Sequence, residues 1–237
     1  MKLLRLDKII SDYSHYSRSQ VSTLARNGLI CVNGEVVKQV SQKFDPTQIE
    51  ITIDNEPLEI EVEPSVIVLH KPEGFVCANE DGVHRTVFTL LPEKFRKFHC
   101  IGRLDVDTTG LLLLTNDGQF SHKLTSPKSH VPKTYFVTLA DPVEDNYAHE
   151  ITQGILLKSE KDPTLPAKLE LTDDPYQVYL TITEGRYHQV KRMFAALGNK
   201  VENLHRSAIG SYTLPEDLDE GEWIVLTVAQ AEKLIRG

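Results

Sequence analysis

The stretch Gly102-Arg103-Leu104-Asp105-Val106-Asp107-Thr108-Thr109-Gly110-Leu111-Leu112-Leu113-Leu114-Thr115-Asn116-Asp117-Gly118 carries more chemistry than any other in the chain, and its reading decides the fold. Two carboxylates and two adjacent threonines run into four consecutive leucines. A short apolar run bounded by turn residues is the pattern of a buried strand. Alone, the polar half has the composition of an ordinary loop whose Asp and Thr side chains hold the turn. Three features set it apart. Gly102 and Gly110 bracket the loop, Arg103 stands two residues from Asp105, and Asp105 leads directly toward the strand. A carboxylate held on a rigid element beside a cation stays ionised, which suits a nucleophile.

Outward from this loop, strand-like and helix-like segments interleave. Val66-Ile67-Val68-Leu69 is an apolar run ended by Lys71-Pro72, and Thr134 to Leu139 alternates so that Tyr135, Val137 and Leu139 share one face. Val178, Leu180 and Ile182 share a face of another strand. Asp141-Pro142 reads as the N-cap and first residue of a helix ending near Gly154. Arg186 to Leu197 is predicted helical, with Val190, Met193, Phe194 and Leu197 inward and Gly198 as its stop. Thr227 caps a last helix through Ile235. Many strands with few helices predict an α+β domain, a mostly antiparallel mixed sheet, over residues 65–237.

The N-terminal part is separate. Ser17-Arg18-Ser19-Gln20 has the form of a capping box, and Asn27-Gly28 closes the helix that it opens. A shorter helix fits Leu6 to Asp12. Asn33-Gly34 between Leu29-Ile30-Cys31-Val32 and Glu35-Val36-Val37 is a strong hairpin signal, and Ile49, Ile51 and Ile53 supply another strand. These elements make a small domain over residues 1–55, joined by an acidic linker at 56–64 that carries Pro57 and Pro64.

Net charge is −8 over 237 residues, which at first sight disfavours a nucleic-acid partner. Its distribution points the other way. Met1 to Lys43 holds seven Lys/Arg against three acids, a net of +4, whereas Phe44 to Glu63 holds seven acids and no base. A basic module followed by an acidic link is a charge asymmetry that the whole-chain balance conceals, and it keeps a nucleic-acid partner open. No apolar run is long enough to span a bilayer, and charges interrupt the place of a signal peptide's apolar stretch, so a cytoplasmic chain is expected. Cys31, Cys77 and Cys100 form neither a disulfide framework nor a zinc motif. His70, His84, His99 and His122 lack metal-ligand spacing, so no metal is expected.

The order Arg5-Leu6-Asp7-Lys8, Ser17-Arg18, Gly28, Val32-Asn33-Gly34 resembles the S4 RNA-binding domain. That resemblance implies that Arg5, Lys8, Arg18 and Arg26 face structured RNA. Gly102-Arg103-Leu104-Asp105-x-Asp107-Thr108-x-Gly110-Leu111 is similar to the signature of the S4-domain-containing rRNA pseudouridine synthases. Lys71-Pro72-x-Gly74, Lys133-Thr134-Tyr135, Glu184-Gly185-Arg186-Tyr187-His188-Gln189-Val190-Lys191-Arg192-Met193 and Leu204-x-Arg206-x-x-Ile209-Gly210 complete that family's order. His70 departs from it, standing where Asn is expected before Lys-Pro. The resemblance implies Asp105 as nucleophile and Tyr135 as the ring stacked on the target uracil. Lys191 is the cation paired with Asp105, Arg103 neighbours the nucleophile and fills the gap left in the RNA, and Leu204 or Ile209 walls the base pocket. It also implies a reaction without cofactor, since the base leaves and rejoins its own ribose, and a monomer acting on folded 16S rRNA or an assembling small-subunit particle. Asp107 and the stretch Glu160-Lys161-Asp162-x-x-x-x-Pro166-Ala167 resemble the small-subunit branch.

Competing readings remain at this stage. A 23S rRNA target shares the S4 module and the Gly-Arg-Leu-Asp motif. Asp105-Val106-Asp107-Thr108-Thr109 also fits the Asp-x-Asp-x-Thr pattern of Mg-dependent phosphatases with an Asp nucleophile, although it stands in mid-chain, with Asp173-Asp174 as distal acids. A non-catalytic RNA-binding assembly factor is the third.

Overall fold

The capping box forms in full. The Ser17 side chain accepts from the Gln20 amide, and the Gln20 side chain accepts from the Ser17 amide at 2.7 Å. This starts α2 (Arg18–Arg26), which follows β1 (Leu4–Arg5) and α1 (Leu6–Tyr13) in a computed structural model. The structure describes residues 3–46, 48–60, 64–126 and 128–236. Next come β2 (Ile30–Val32), β3 (Glu35–Val36), β4 (Lys43–Phe44), β5 (Ile51–Ile53) and β6 (Glu56–Leu58). Asn33 and Gly34 take positive φ of 51° and 82°, the left-handed pair that a two-residue hairpin turn demands. The sheet order is β3-β2-β5-β6, antiparallel throughout, while β1 pairs with β4. Leu6, Ile9, Ile10, Val21, Ala25 and Ile30 meet in its core.

The expected linker at 56–64 is shorter than the sequence suggests. Asp54 and Asn55 both adopt positive φ and make a second tight turn, which folds Glu56–Leu58 back onto β5. Asn and Asp tolerate this conformation because their short side chains bond locally. Residues 61–63 of that linker, and Met1 and Lys2 of the basic arm, lie outside the described residues. The chain divides into two compact units, Met1–Glu63 with Glu93–Lys97, and Pro64–Pro92 with Phe98–Gly237. The short segment Glu93–Lys97 thus groups with the first unit, although its place in the chain puts it within the second.

The second unit contains β7 (Ser65–Lys71), β8 (Phe75–Val76), β9 (Arg85–Thr86), β10 (His99–Ile101), β11 (Thr108–Thr115), α3 (Gly118–Thr125), β12 (Lys133–Leu139) and α4 (Tyr147–Gln153). They continue into β13 (Lys168–Leu171), β14 (Gln177–Ile182), α5 (Gln189–Ala196), β15 (Val201–Ile209), β16 (Tyr212–Thr213), β17 (Trp223–Thr227) and α6 (Val228–Arg236). The main sheet runs β13-β14-β12-β15-β11-β7-β17, with β10 added to β11 and β16 to β15. Only β11 with β15 is parallel in it, so the largely antiparallel α+β expectation describes the molecule.

Strand β11 lies at the centre, and Leu111 to Leu114 are all buried, as a strand covered on both faces must be. Leu111 and Leu113 join Val66, Val68, Phe120, Leu124 and Ile235 in a core cluster. One edge of β11 pairs first with β15, at Thr108 to Gly110, and then with β10, at Leu113 to Thr115. Between those pairings the Leu111 carbonyl accepts from Nε of the buried Arg206 at 2.7 Å, which replaces the missing ladder bond. Gly110 faces Arg206 on β15 at φ +102°, and a Cβ there would collide with the Arg206 backbone.

Two helix boundaries differ from the sequence reading. The helix expected from Asp141-Pro142 begins at Tyr147, after an Asn146 N-cap. Asp141 is instead anchored at a distance: its amide donates to Asn199 Oδ1 at 3.2 Å and its carbonyl accepts from Asn199 Nδ2 at 2.9 Å. The helix expected from Arg186 begins at Gln189, because His188 is left-handed, with φ 47° and ψ 36°. The other end meets expectation, with Thr227 and Gln230 forming a reciprocal cap on α6.

Candidate active site

Asp105 lies in the loop that enters β11, its side chain about one-third exposed at 32%. The loop backbone is pinned from below. Lys71, at the end of β7, is fully buried and its ammonium donates to the carbonyls of Thr108 at 2.8 Å, Pro72 at 3.0 Å and Val106 at 3.4 Å. Gly74 adds an amide to the Val106 carbonyl at 2.8 Å from a φ of +87°, a conformation natural to glycine. The Lys-Pro-x-Gly motif is therefore the cradle of the acidic loop. Burial pushes the Lys71 ammonium below its ordinary range, opposed by the nearby Cys77, Asp107, Asp105 and Glu73. On the next residue back, the Leu104 amide donates to Cys77 Sγ at 3.3 Å. A hydrogen bond from Cys100 draws the Cys77 thiol down to about 6 and pushes Cys100 up.

Two side chains from the α5 region converge on the carboxylates. His188 Nε2 is 3.3 Å from Asp105 Oδ1, and Lys191 Nζ is 3.6 Å from Asp105 Oδ2. Lys191 makes its shorter bond, 2.6 Å, to Asp107 Oδ1. The expected Lys191–Asp105 pair is thus present as the longer arm of a bridge between the two carboxylates. One oxygen of Asp105 thus faces the imidazole and the other the ammonium, whose charge helps to keep the carboxylate ionised. The Lys191 hydrogen bond holds the Asp107 carboxyl below the usual range. In Lys191→Met the Asp107 carboxyl carbon should therefore titrate at higher pH by NMR than in the parent chain. A midpoint that stays put would mean that the 2.6 Å bond does not form in solution.

His188 is the site residue to which the sequence motif assigns no role. Its left-handed backbone is what brings the imidazole to Asp105. Such strain in a residue other than glycine costs energy and concentrates at functional sites. Arg186 works elsewhere, bonding Glu184 Oε2 and Glu160 Oε2 at 3.1 Å and the carbonyls of Asp162 and Pro163 at 2.9 and 2.7 Å. Arg192 bonds Glu160 from its other side at 2.9 Å.

A domain match decides what this arrangement is for. The description RNA pseudouridylate synthase matches residues 65–196, which include Lys71, Asp105, Tyr135, His188 and Lys191. The chain belongs to the RNA pseudouridylate synthase family. It is an isomerase by that membership, and an S4 domain matches residues 4–49 ahead of the synthase domain. Ribosomal small subunit pseudouridine synthase A of Haemophilus influenzae is 52% identical over 98% of this chain and all of that one. The protein of the same name from Escherichia coli K12 is 46% identical over 98% of this chain and the full length of that one. A crystal structure of a pseudouridylate synthase, 52% identical, superposes with a TM-score of 0.70 over 98% of this chain and 100% of that one.

Within this synthase domain the remaining candidates are dispersed. Arg103 is exposed, two residues before the nucleophile candidate. Tyr135 is buried on β12 and pairs across the sheet with Arg206, which pairs in turn with Gly110, so the ring lies two strands from β11. Leu204 is buried and sits beside Thr108 on the parallel strand. Ile209, expected at a base pocket, packs instead in the core cluster with Phe120, Leu124 and Ile235, which leaves Leu204 as the wall candidate. His70 bonds the Leu218 carbonyl through Nδ1 at 2.8 Å. In the S4 domain, Arg5 is bonded to Asp7 at 2.7 Å and Lys8 to Asp12 at 2.7 Å, both still about half exposed, while Arg18 and Arg26 are exposed on α2. No group of three or more His, Cys, Asp or Glu among the described residues is placed to hold a metal, and no helix among them is long and apolar enough to cross a membrane.

Proposed function

We propose that the chain isomerises one uridine in the 5′ domain of 16S rRNA to pseudouridine, with Asp105 as nucleophile. The observation that carries this reading is the carboxylate itself. It stands on a loop pinned by Lys71, partly open to solvent, with His188 and Lys191 on its two oxygens. A nucleophile needs that combination of fixed backbone, maintained charge and access. The family relationship supplies the reaction, and the small-subunit naming of relatives 46–52% identical supports the RNA.

The bond changes balance within one nucleoside. The N1–C1′ bond breaks, the uracil turns, C5 bonds to C1′, the C5 proton is lost and N1 gains one. Two routes are open to the carboxylate, addition at uracil C6 or attack at ribose C1′, and both return it unchanged. Uracil inside folded RNA is out of reach, so the base must be extruded, with Tyr135 stacked on it, Leu204 walling the pocket and Arg103 occupying the vacated place. The S4 domain holds the surrounding RNA through Arg5, Lys8, Arg18 and Arg26. This describes a cytoplasmic, monomeric enzyme that needs no cofactor and acts on folded RNA or an assembling particle.

Two experiments test the reading. Purified chain should release tritium from C5-labelled uridine in folded 16S rRNA. A strain lacking the protein should lose a single pseudouridine of the 16S 5′ domain in carbodiimide primer-extension mapping. Loss of a 23S site with an unchanged 16S pattern would move the target to the large subunit and leave the chemistry standing.

A further inference from the structure

The residue before His188 presents a surface that the proposed chemistry leaves idle. Tyr187 is 76% exposed, far more than Tyr176 or Tyr179, the other exposed aromatics in the second unit. Its ring is nonetheless ordered, stacked on the His188 imidazole with centroids 3.8 Å apart and planes 18° from parallel. Its backbone is held as well, since the Tyr187 carbonyl accepts from Arg192 Nη1 at 3.0 Å. The imidazole beneath it reaches Asp105 at 3.3 Å. One face of the phenol ring is thus covered by His188, which joins the ring to the Asp105 site.

We propose that the open face of Tyr187 is a stacking platform for a nucleobase beside the target uridine, which makes Tyr187 a substrate-binding residue. The inference rests on the reading of Asp105 as the reaction centre. Exposed aromatic rings held rigidly near a cationic backbone track are what single-stranded segments stack on, and every nucleobase offers a π-face. Arg103, exposed in the acidic loop, supplies a cation, while Lys191 and Arg192 are engaged with Asp107 and Glu160. Extruding one uridine unstacks its neighbours, and a flat ring joined to the site replaces the lost stacking partner for one of them. The bland role for Tyr187, shielding the His188–Asp105 contact from water, makes a different prediction, because any apolar side chain would serve it.

The test uses the full chain and the folded 5′ domain of 16S rRNA. Binding is measured in an Asp105→Asn background, so that affinity is scored without turnover. Tyr187→Ala and Tyr187→Leu should each weaken binding by about tenfold, the scale of one lost base–aromatic stack, and Tyr187→Phe should bind like the parent. In the Asp105 chain the same losses should appear in KM, with kcat at saturating RNA within about twofold. Ultraviolet irradiation of the complex should place a nucleotide adduct on the peptide containing Tyr187. Parental binding by Tyr187→Ala, rescue by Tyr187→Leu, or adducts confined to other peptides would each overturn the platform. Tritium release by the parent chain is scored separately: binding that depends on Tyr187 without isomerisation would overturn the enzymatic reading and leave the platform intact.

Discussion

Asp105→Asn is expected to lower kcat by at least about 10⁴-fold, as the loss of a covalent catalyst does, while RNA affinity stays within a few-fold. The substitution is nearly isosteric. The loop is held through its backbone by Lys71 and Gly74, and the Asp105 oxygens only face His188 and Lys191 at 3.3 and 3.6 Å, so the loop geometry should persist. What disappears is the negative charge that makes the oxygen nucleophilic in the proposed reaction. Because the side chain is only one of many groups facing the RNA, little ground-state binding depends on it. Single-turnover tritium release reads the chemistry, and filter binding of the same preparation reads affinity. Activity equal to that of the parent chain would remove Asp105 from the mechanism. A parallel loss of affinity would make it an RNA contact instead. Asp107→Asn should be milder, since Asp107 is 55% exposed and its measurable partner is Lys191. Exposed ion pairs contribute little.

The difference between what could be read from residues and what could not follows the range of the interactions. The Ser17–Gln20 box, the Asn33-Gly34 turn and the Thr227 cap are settled within a few residues, and all are found where the sequence puts them. Alternation placed Tyr135, Val137 and Leu139 on one buried face of β12. Asp141-Pro142 carried a local helix-start signal that lost to a partner 58 residues away, Asn199, which claims both backbone groups of Asp141. The Asp54-Asn55 turn hid inside an acidic stretch whose composition suggested a linker.

At the site the motifs named the right segments without their internal geometry. The order of Lys71, Asp105 and Lys191 was legible from the family resemblance. That Lys191 would bond Asp107 more closely than Asp105 was not, nor that a left-handed backbone would turn His188 onto Asp105. Both depend on how α5 is set against the acidic loop, a distance of more than 80 residues along the chain. Ile209 illustrates the converse. Its motif position suggested the base pocket, but β15 carries it into the cluster with Phe120 and Ile235, where its apolar surface is covered.

Lys71→Met should give the second-largest effect, and it acts through the backbone. Met matches the length of the lysine stem and fills the same space, so no large cavity forms. The ammonium is lost, and with it the donor shared by the carbonyls of Pro72, Val106 and Thr108. Buried acceptors stripped of a charged donor cost about 1–3 kcal/mol, more than the net worth of an ordinary hydrogen bond. Against this stands the relief of a buried charge, since desolvation already pushes the Lys71 ammonium down. The lost bonds should outweigh this relief, because Lys71 is fully buried and its bond to the Thr108 carbonyl is buried with it. A loss of about 2 kcal/mol corresponds to a fall of roughly 4–8 °C in Tm for a unit of this size. The kinetic effect should exceed the thermal one. Val106 and Thr108 follow Asp105 in the loop, and the Thr108 amide bonds the Asp105 carbonyl at 3.1 Å, so releasing their carbonyls lets Asp105 drift. A misplacement of about 1 Å costs on the order of 10²-fold in rate. Assayed well below its own melting point, Lys71→Met should bind RNA normally and turn over about a hundredfold more slowly. Lys71→Met with the parent's Tm and kcat would mean that the Gly74 amide alone suffices to hold the loop.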